Sequence, residues 1–198
     1  ADSGARAVLT DPGTDSDRVV DSLELPDTLD HRIVLGDAPD EAHAFDDLCD
    51  RPPLEEAPPT SDDDLALFIY TSGTTGKSKG VMHTYRSVLS NIDNLTRLWQ
   101  WTPHDRQVLA LPLFHVHGLC IGVHGTLLRG CSTELHPAFD ARAVVEDIGR
   151  GGTIFMGVPT MHTRLLRLMP AEPESAEKMS SAPLFTSGSA ALPVPLHE

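Results

Sequence analysis

The chain has 198 residues, 40% of them hydrophobic, enough for one ordinary buried core. Its formal net charge of −14 is uneven: residues 1–64 hold 19 acids against 4 bases, and residues 65–198 hold 10 acids against 11 bases. Such a balance gives no basic footprint for nucleic acid, and no apolar run approaches the roughly 20 residues that cross a bilayer.

Residues 1–50 read as the acidic end of an α/β lobe. Ala7–Leu9 and Arg32–Leu35 are short apolar runs of strand character, and Glu41–Cys49 has the length of one short helix. Residues 51–64 hold four prolines and five acids, which predicts a surface connection with nothing to bury. From residue 65 to residue 198 strands and helices alternate. Leu65–Tyr70 is a continuous apolar run, expected as a buried strand, and Thr71–Gly80 is a loop rich in glycine and hydroxyl groups. A helix is predicted over Tyr85–Trp99, where Val88, Leu89, Ile92, Leu95, Leu98 and Trp99 make one apolar stripe. Val108–Leu111 is a strand, Gly118–Leu128 a helix closed by Gly130, and Cys131–Leu135 another strand. Asp140 is placed to cap a helix running to Ile148, which Gly149, Gly151 and Gly152 end. Thr153–Met156 is a strand, Pro159 takes the first position of a helix to Met169, and Leu184–Thr186 leads into Ser187-Gly188-Ser189. The alternation predicts an α/β fold, layered, with a largely parallel sheet and flanking helices. The three cysteines, Cys49, Cys120 and Cys131, have neither zinc nor redox spacing. They read as reduced thiols of a cytoplasmic protein, Cys120 and Cys131 in its core. A start at Ala1 and a stop at Glu198 lead us to expect a piece of a longer polypeptide.

Chemistry concentrates in the loop after Leu65–Tyr70. Thr71, Ser72, Thr74 and Thr75 supply hydroxyl donors, Gly73, Gly76 and Gly80 let amide N–H groups turn toward an anion, and Lys77 and Lys79 add positive charge. Together they describe a polyphosphate cradle; the plainer alternative is a flexible surface turn. A Walker A loop needs four residues between its first glycine and the Gly-Lys pair, whereas Gly73 and Gly76 have two between them.

Tyr70-Thr71-Ser72-Gly73-Thr74-Thr75-Gly76-Lys77-Ser78-Lys79-Gly80 resembles the phosphate-binding signature of the adenylate-forming superfamily, which holds acyl-CoA synthetases, luciferases and peptide-synthetase adenylation domains. Ser78 departs from it, since many members have proline there. The resemblance covers about residues 62–198. Leu111–Gly118 is similar to a second landmark of the superfamily and implies that His115 lies beside the acyl and pantetheine channel. Thr186–Pro193 resembles the loop that flanks adenine and the acyl carboxylate, which implies that role for Ser187, Gly188, Ser189, Ala190 and Ala191. Within the superfamily the wording of Phe114–Gly118, Gly157–Arg164 and Ser187–Pro193 is similar to malonyl-CoA synthetases. That likeness implies that Arg164 pairs with the distal carboxylate of malonate, a task suited to a guanidinium fork. From the helical pattern alone Arg164 reads as a solvated arginine.

The resemblance implies ATP, Mg²⁺ and coenzyme A as cofactor or co-substrates and a small carboxylic acid as partner, with no nucleic acid and no membrane span. It also implies that the acidic magnesium motif, the ribose-binding aspartate and the small C-terminal domain with its catalytic lysine follow Glu198. No catalytic residue and no metal ligand is therefore expected within these residues, which would form part of the large domain of such an enzyme. His115, His117 and His124 lack partners at metal-ligand spacing; His117 reads as a supporting or core residue. His83 and Arg86 read either as phosphate helpers or as ordinary helix-start residues. Three functions stay open: an acid–CoA ligase of the malonate type, an adenylation domain that serves a carrier protein, and a truncated nucleotide-binding module.

Overall fold

A computed structural model of the chain describes residues 3–11, 27–71 and 78–194. The chain divides into two compact units, Ala1–Ser61 with Tyr70–Val81, and Asp62–Ile69 with Met82–Glu198. No described helix is long and apolar enough to cross a membrane.

In the first unit β1 (Ala7–Thr10), β2 (His31–Val34) and β3 (His43–Ala44) form a parallel sheet in that order. The expected helix over Glu41–Cys49 is corrected: His43 and Ala44 pair with Ile33 and Val34, and α1 covers only Phe45–Cys49. The edge of β2 supplies backbone partners to His43 and Ala44. The short helix that follows has Asp46 and Asp47 in its first turn, where the helix dipole favours negative charge. Residues 51–61 are exposed and form neither strand nor helix.

In the second unit the end of that acidic stretch has a structural task. The Tyr85 and Arg86 amides donate to the Asp64 and Asp62 carbonyls, and the Arg86 guanidinium pairs with Asp62 and Asp63. Two N–H groups that a helix start leaves without partners are satisfied this way, so Arg86 serves as a helix-start residue. The helix, α2 (Tyr85–Leu98), is further capped by the Thr84 hydroxyl, which accepts from Ser87 N at 3.2 Å. Its expected apolar stripe is corrected in part. Ile92 is buried and Val88, Leu95 and Trp99 are half-buried, whereas Leu89 and Leu98 are exposed. Thr96 is buried instead, held by Arg129 from a neighbouring helix.

Two strands precede α2: β4 (Leu65–Thr71) and β5 (Lys79–Thr84) pair in a two-stranded sheet. The continuous apolar run of β4 predicts burial, yet Leu65 is 52% and Tyr70 45% exposed and the middle of the strand is half-buried. Among the described residues a single sheet partner leaves the faces of β4 incompletely covered.

The frame of the second unit is a parallel sheet of β6 (Arg106–Leu109), β7 (Ser132–Leu135), β8 (Ile154–Gly157) and β9 (Leu184–Ser187) in the order β7-β6-β8-β9. Both faces of its centre are covered. Val108 and Phe155 pack with Val144, Ile148 and Leu165 on one side; Leu109, Ile154 and Met156 pack with Trp101 on the other. This two-sided burial explains the apolar pairs and triplets Val108-Leu109 and Ile154–Met156, while the expected strand over Val108–Leu111 is corrected: β6 starts earlier, at Arg106 and Gln107, where Thr153 N donates to the Arg106 carbonyl, and stops at Leu109. On the first side lie α4 (Ala141–Gly149) and α5 (Pro159–Leu166). Asp140 caps α4 through Ala143 N at 2.9 Å, and that amide holds its carboxyl below the ordinary value. Pro159 begins α5, which stops at Leu166, short of the expected Met169. A further helix, α6 (Pro173–Ser180), was not expected from the sequence; Pro173 opens it.

The expected helix over Gly118–Leu128 differs in pitch. His117–His124 winds in wide π-type turns and continues into α3 (Gly125–Arg129), which Gly130 closes at φ 68°. Gly118, Gly122 and Gly125 face the Pro112 backbone, Leu109 and the Trp101 ring so closely that none has room for a Cβ. The wide turns and the glycine face press this segment flat against the end of β6.

Candidate active site

Parallel strands aim their C-terminal ends, and the loops that follow, at a common edge, the usual place for ligands in such sheets. Here that edge carries Ala110–Gly118 after β6, Gly157-Val158-Pro159 after β8 and Ser187–Ala191 after β9. The last two loops are tied by Gly188 N donating to Gly157 O at 3.1 Å.

His117 lies under the β9 loop. It is 7% exposed; its Nδ1 is 3.3 Å from the Ser189 hydroxyl, and a Cβ on Gly188 would stand 2.8 Å from its Cε1. Burial, and then the neighbouring His115, push its imidazole below the ordinary value and keep the ring neutral. Ser189 holds a left-handed backbone at φ 64°, and Ser189, Ala190 and Ala191 are exposed. The five residues Ser187–Ala191 thus present small side chains and accessible backbone above a neutral imidazole floor.

His162, absent from the sequence-derived site, packs beside this loop. Its Nε2 is 3.0 Å from the Thr186 carbonyl and its ring meets Phe155 edge-on at 5.6 Å. Burial lowers its pKa, against the raising effect of the Thr186 carbonyl. With Leu166, Met179, Thr186 and Ser187 it lines a cavity of about 270 Å³. The Thr186 and Ser187 hydroxyls are buried without a hydrogen-bond partner among the described residues.

Arg164 is placed elsewhere. Two residues along α5 turn the side chain by roughly 200°, so Arg164 leaves the helix on the side away from His162. Its guanidinium lies exposed, 4.8 Å over the Phe139 ring. Phe139 belongs to the wall of a second cavity, about 550 Å³, shared with Leu111, Phe114, His136 and Met161. The structure therefore does not bring Arg164 to the Ser187–Ala191 loop. His115 is exposed at the head of the π-type segment, its amide donating to Pro112 O and its carbonyl accepting from Leu119 N. Behind it, between α2 and that segment, lies a third cavity of about 460 Å³ lined by His83, Ser87, Asn91, Val116, Cys120 and Ile121. The sequence reading missed this wall; the signal was there in Ser87 and Asn91, one helical turn apart on α2. Burial raises the Cys120 thiol pKa.

Of the phosphate loop, Ser72, Gly73, Thr74, Thr75 and Gly76 lie outside the described residues. Its base is described: Thr71 and Lys79 are exposed, and the Thr71 hydroxyl donates to the Lys79 carbonyl at 3.4 Å. No group of three or more His, Cys, Asp or Glu among the described residues could hold a metal ion. The magnesium implied by the resemblance finds no such donor set among the described residues.

All 198 residues match a family model described as AMP-binding enzyme. A probable CoA ligase of Humulus lupulus is 38% identical over 152 residues, 69% of this chain and 25% of that protein. A malonate–CoA ligase of Arabidopsis thaliana is 39% identical over 150 residues, 68% of this chain and 25% of that protein. A solved malonyl-CoA ligase, in a ternary product complex with methylmalonyl-CoA and AMP, superposes with a TM-score of 0.77 at 37% identity, over 99% of this chain and 38% of that one. The chain thus spans about a quarter of the length of the curated relatives it matches. The parallel sheet with its loops at one edge, the glycine- and hydroxyl-rich stretch after β4 and the full-length family match converge: the chain belongs to the AMP-binding enzyme family.

Proposed function

We propose that the full-length protein bearing this chain activates a carboxylic acid with ATP and passes the acyl group to coenzyme A, with malonate as the acid. In the first half-reaction a carboxylate oxygen attacks the α-phosphorus of ATP and pyrophosphate leaves. In the second the thiolate sulfur of coenzyme A attacks the acyl carbon and AMP leaves. Both reactants of the first half are anions, so the work of the site is positioning and neutralisation of phosphate charge.

The observation that carries this reading is the Ser187–Ala191 loop: built of small residues, exposed from Ser189 to Ala191, and fixed on Gly157 and His117 at the C-terminal edge of a parallel sheet. Backbone can approach a flat base and a carboxylate closely there. Thr71, Ser72, Gly73, Thr74, Thr75, Gly76 and Lys79 hold the phosphates in this reading. Of the relatives compared, one is named a malonate–CoA ligase and one a malonyl-CoA ligase with methylmalonyl-CoA and AMP bound, and Arg164 is assigned to the second carboxylate. The unpaired thiols favour a reducing compartment, the cytoplasm.

One observation favours a second reading. Arg164 stacks on Phe139, away from His162, and could serve packing alone, which leaves a synthetase for monocarboxylic acids. The test is kcat/KM for malonate and for propionate in the wild type, Arg164→Ala and Arg164→Lys. Carboxylate reading predicts a loss for malonate at least tenfold larger than for propionate in the alanine variant, with lysine intermediate. Equal losses for both acids contradict it.

A further inference from the structure

We propose that His117 is the positioning residue of the Ser187–Ala191 loop, holding Gly188 and Ser189 in the geometry that receives the nucleotide and the acyl carboxylate. The inference rests on the functional reading above for what the loop does, and on the structure alone for what holds it.

A non-glycine residue in the left-handed region persists only where its surroundings impose that backbone. Ser189 is such a residue at φ 64°, and it is exposed, so no packing around its own side chain explains it. Two fixed points flank it. On one side Gly188 N is bonded to Gly157 O at the end of β8; on the other the Ser189 hydroxyl meets His117 Nδ1 at 3.3 Å. The imidazole itself cannot drift. It is 7% exposed, and the next residue, Gly118, is pressed against the Pro112 and Leu111 carbonyls with no room for a Cβ. Gly188 rests on the ring edge so closely that an added Cβ would lie 2.8 Å from Cε1 and 3.1 Å from Nδ1. The wide-turned segment after β6 therefore sets the height and tilt of the loop after β9 through one side chain. The same segment begins two residues after His115, so the acyl-channel residue and the nucleotide loop share one rigid mount.

The test uses the full-length protein with His117→Ala, His117→Asn, His117→Gln, Ser189→Ala and the double variant His117→Ala/Ser189→Ala. An asparagine amide reaches the place of Nδ1, and a glutamine amide that of Nε2. The readouts are acid-dependent ATP–pyrophosphate exchange and hydrogen exchange of the peptide spanning residues 186–191. We expect kcat/KM for ATP to fall about tenfold in His117→Ala, His117→Gln and Ser189→Ala, to recover in His117→Asn, and to fall no further in the double variant. Amide exchange over 186–191 should accelerate in step while the peptides of β6 and β8 stay protected. Additive losses, an asparagine variant no better than glutamine, or unchanged exchange over 186–191 in His117→Ala overturns the proposal. Ser189 is exposed, so its variant reads the contact even where the histidine variants fold poorly. A wild type without acid-dependent exchange of pyrophosphate contradicts the functional reading instead, and amide exchange still decides the role of His117.

Discussion

Replacing Gly118 with alanine sets two effects of known size against each other. In a helical segment alanine is favoured over glycine by about 1 kcal/mol. Against that, the new Cβ would meet the Pro112 carbonyl oxygen well inside van der Waals contact, with the Pro112 carbon at 3.0 Å and the Leu111 oxygen at 3.1 Å. All three atoms are backbone, in a turn anchored by the buried Ala110 and Leu111, so no side chain can swing away. The segment has to move outward by roughly half an ångström, and overpacking of this kind costs about 1–3 kcal/mol. The net expectation is destabilisation of up to about 2 kcal/mol. Gly149→Ala is the matched control. The atoms nearest its Cβ are Cγ, Cδ and Cβ of Lys178, at 2.9, 3.1 and 3.3 Å, and rotation about the first side-chain bond moves the closest two at the expense of a surface pair with Glu146. That variant should be neutral or slightly stabilised. The assay is urea unfolding of the chain followed by the fluorescence of Trp99 and Trp101, the only two tryptophans. A Gly118→Ala midpoint equal to or above the wild type, with Gly149→Ala lower, would refute the packing argument.

Thr126→Val should cost about 1–3 kcal/mol, because the Thr126 hydroxyl meets the fully buried Gln107 side chain at 2.8 Å and Thr133 at 2.7 Å, and valine leaves those two only their longer bond to each other at 3.3 Å; the urea midpoint reads it. His117 and His162 are held neutral by burial, so the unfolded chain binds their protons more readily than the folded one. Their contribution is intact above the ordinary imidazole value of 6.5 and is lost as the pH falls through the depressed folded values. The midpoint should drop between about pH 7.5 and pH 5.5, less steeply in His162→Gln; a flat profile over that range contradicts the burial of neutral rings. Replacing Thr74 and Thr75 together with alanine in the full-length protein should weaken ATP use through lost phosphate donors, at about 1–3 kcal/mol for each charged hydrogen bond. Unchanged adenylate formation would remove the phosphate assignment.

What was legible in the sequence was local. Asp140 caps α4, Pro159 opens α5 and Gly130 closes α3 because each acts on backbone groups within one turn of itself. Val108-Leu109 and Ile154–Met156 announced themselves because strand residues buried on both faces are apolar, whereas Arg106 and Gln107 at the start of β6 did not. What escaped depends on distant partners. His43 and Ala44 become a strand only because the edge of β2 is open to them. The π-type pitch of His117–His124, and the close approach of its Gly118 and Gly122 to Pro112 and Leu109, are tertiary facts that no periodicity encodes. In the site, the type of chemistry was legible in the run from Thr71 to Gly80, since donors and glycines crowd together in sequence. The seat of the β9 loop was not, because His117 and Ser189 are 72 residues apart. The phase of α5, which sends Arg164 and His162 to opposite sides, was present in their two-residue spacing, but which side meets β9 is a tertiary fact.

Two-step activation of an acid at this site, as proposed for the full-length protein, can be measured directly. Its most direct measurement is exchange of labelled pyrophosphate into ATP by the purified full-length protein, with and without malonate, followed by addition of coenzyme A. The account predicts exchange that requires malonate, and malonyl-CoA and AMP in equal amounts once the thiol is present. Exchange independent of any acid, or AMP released with no thioester formed, would contradict it.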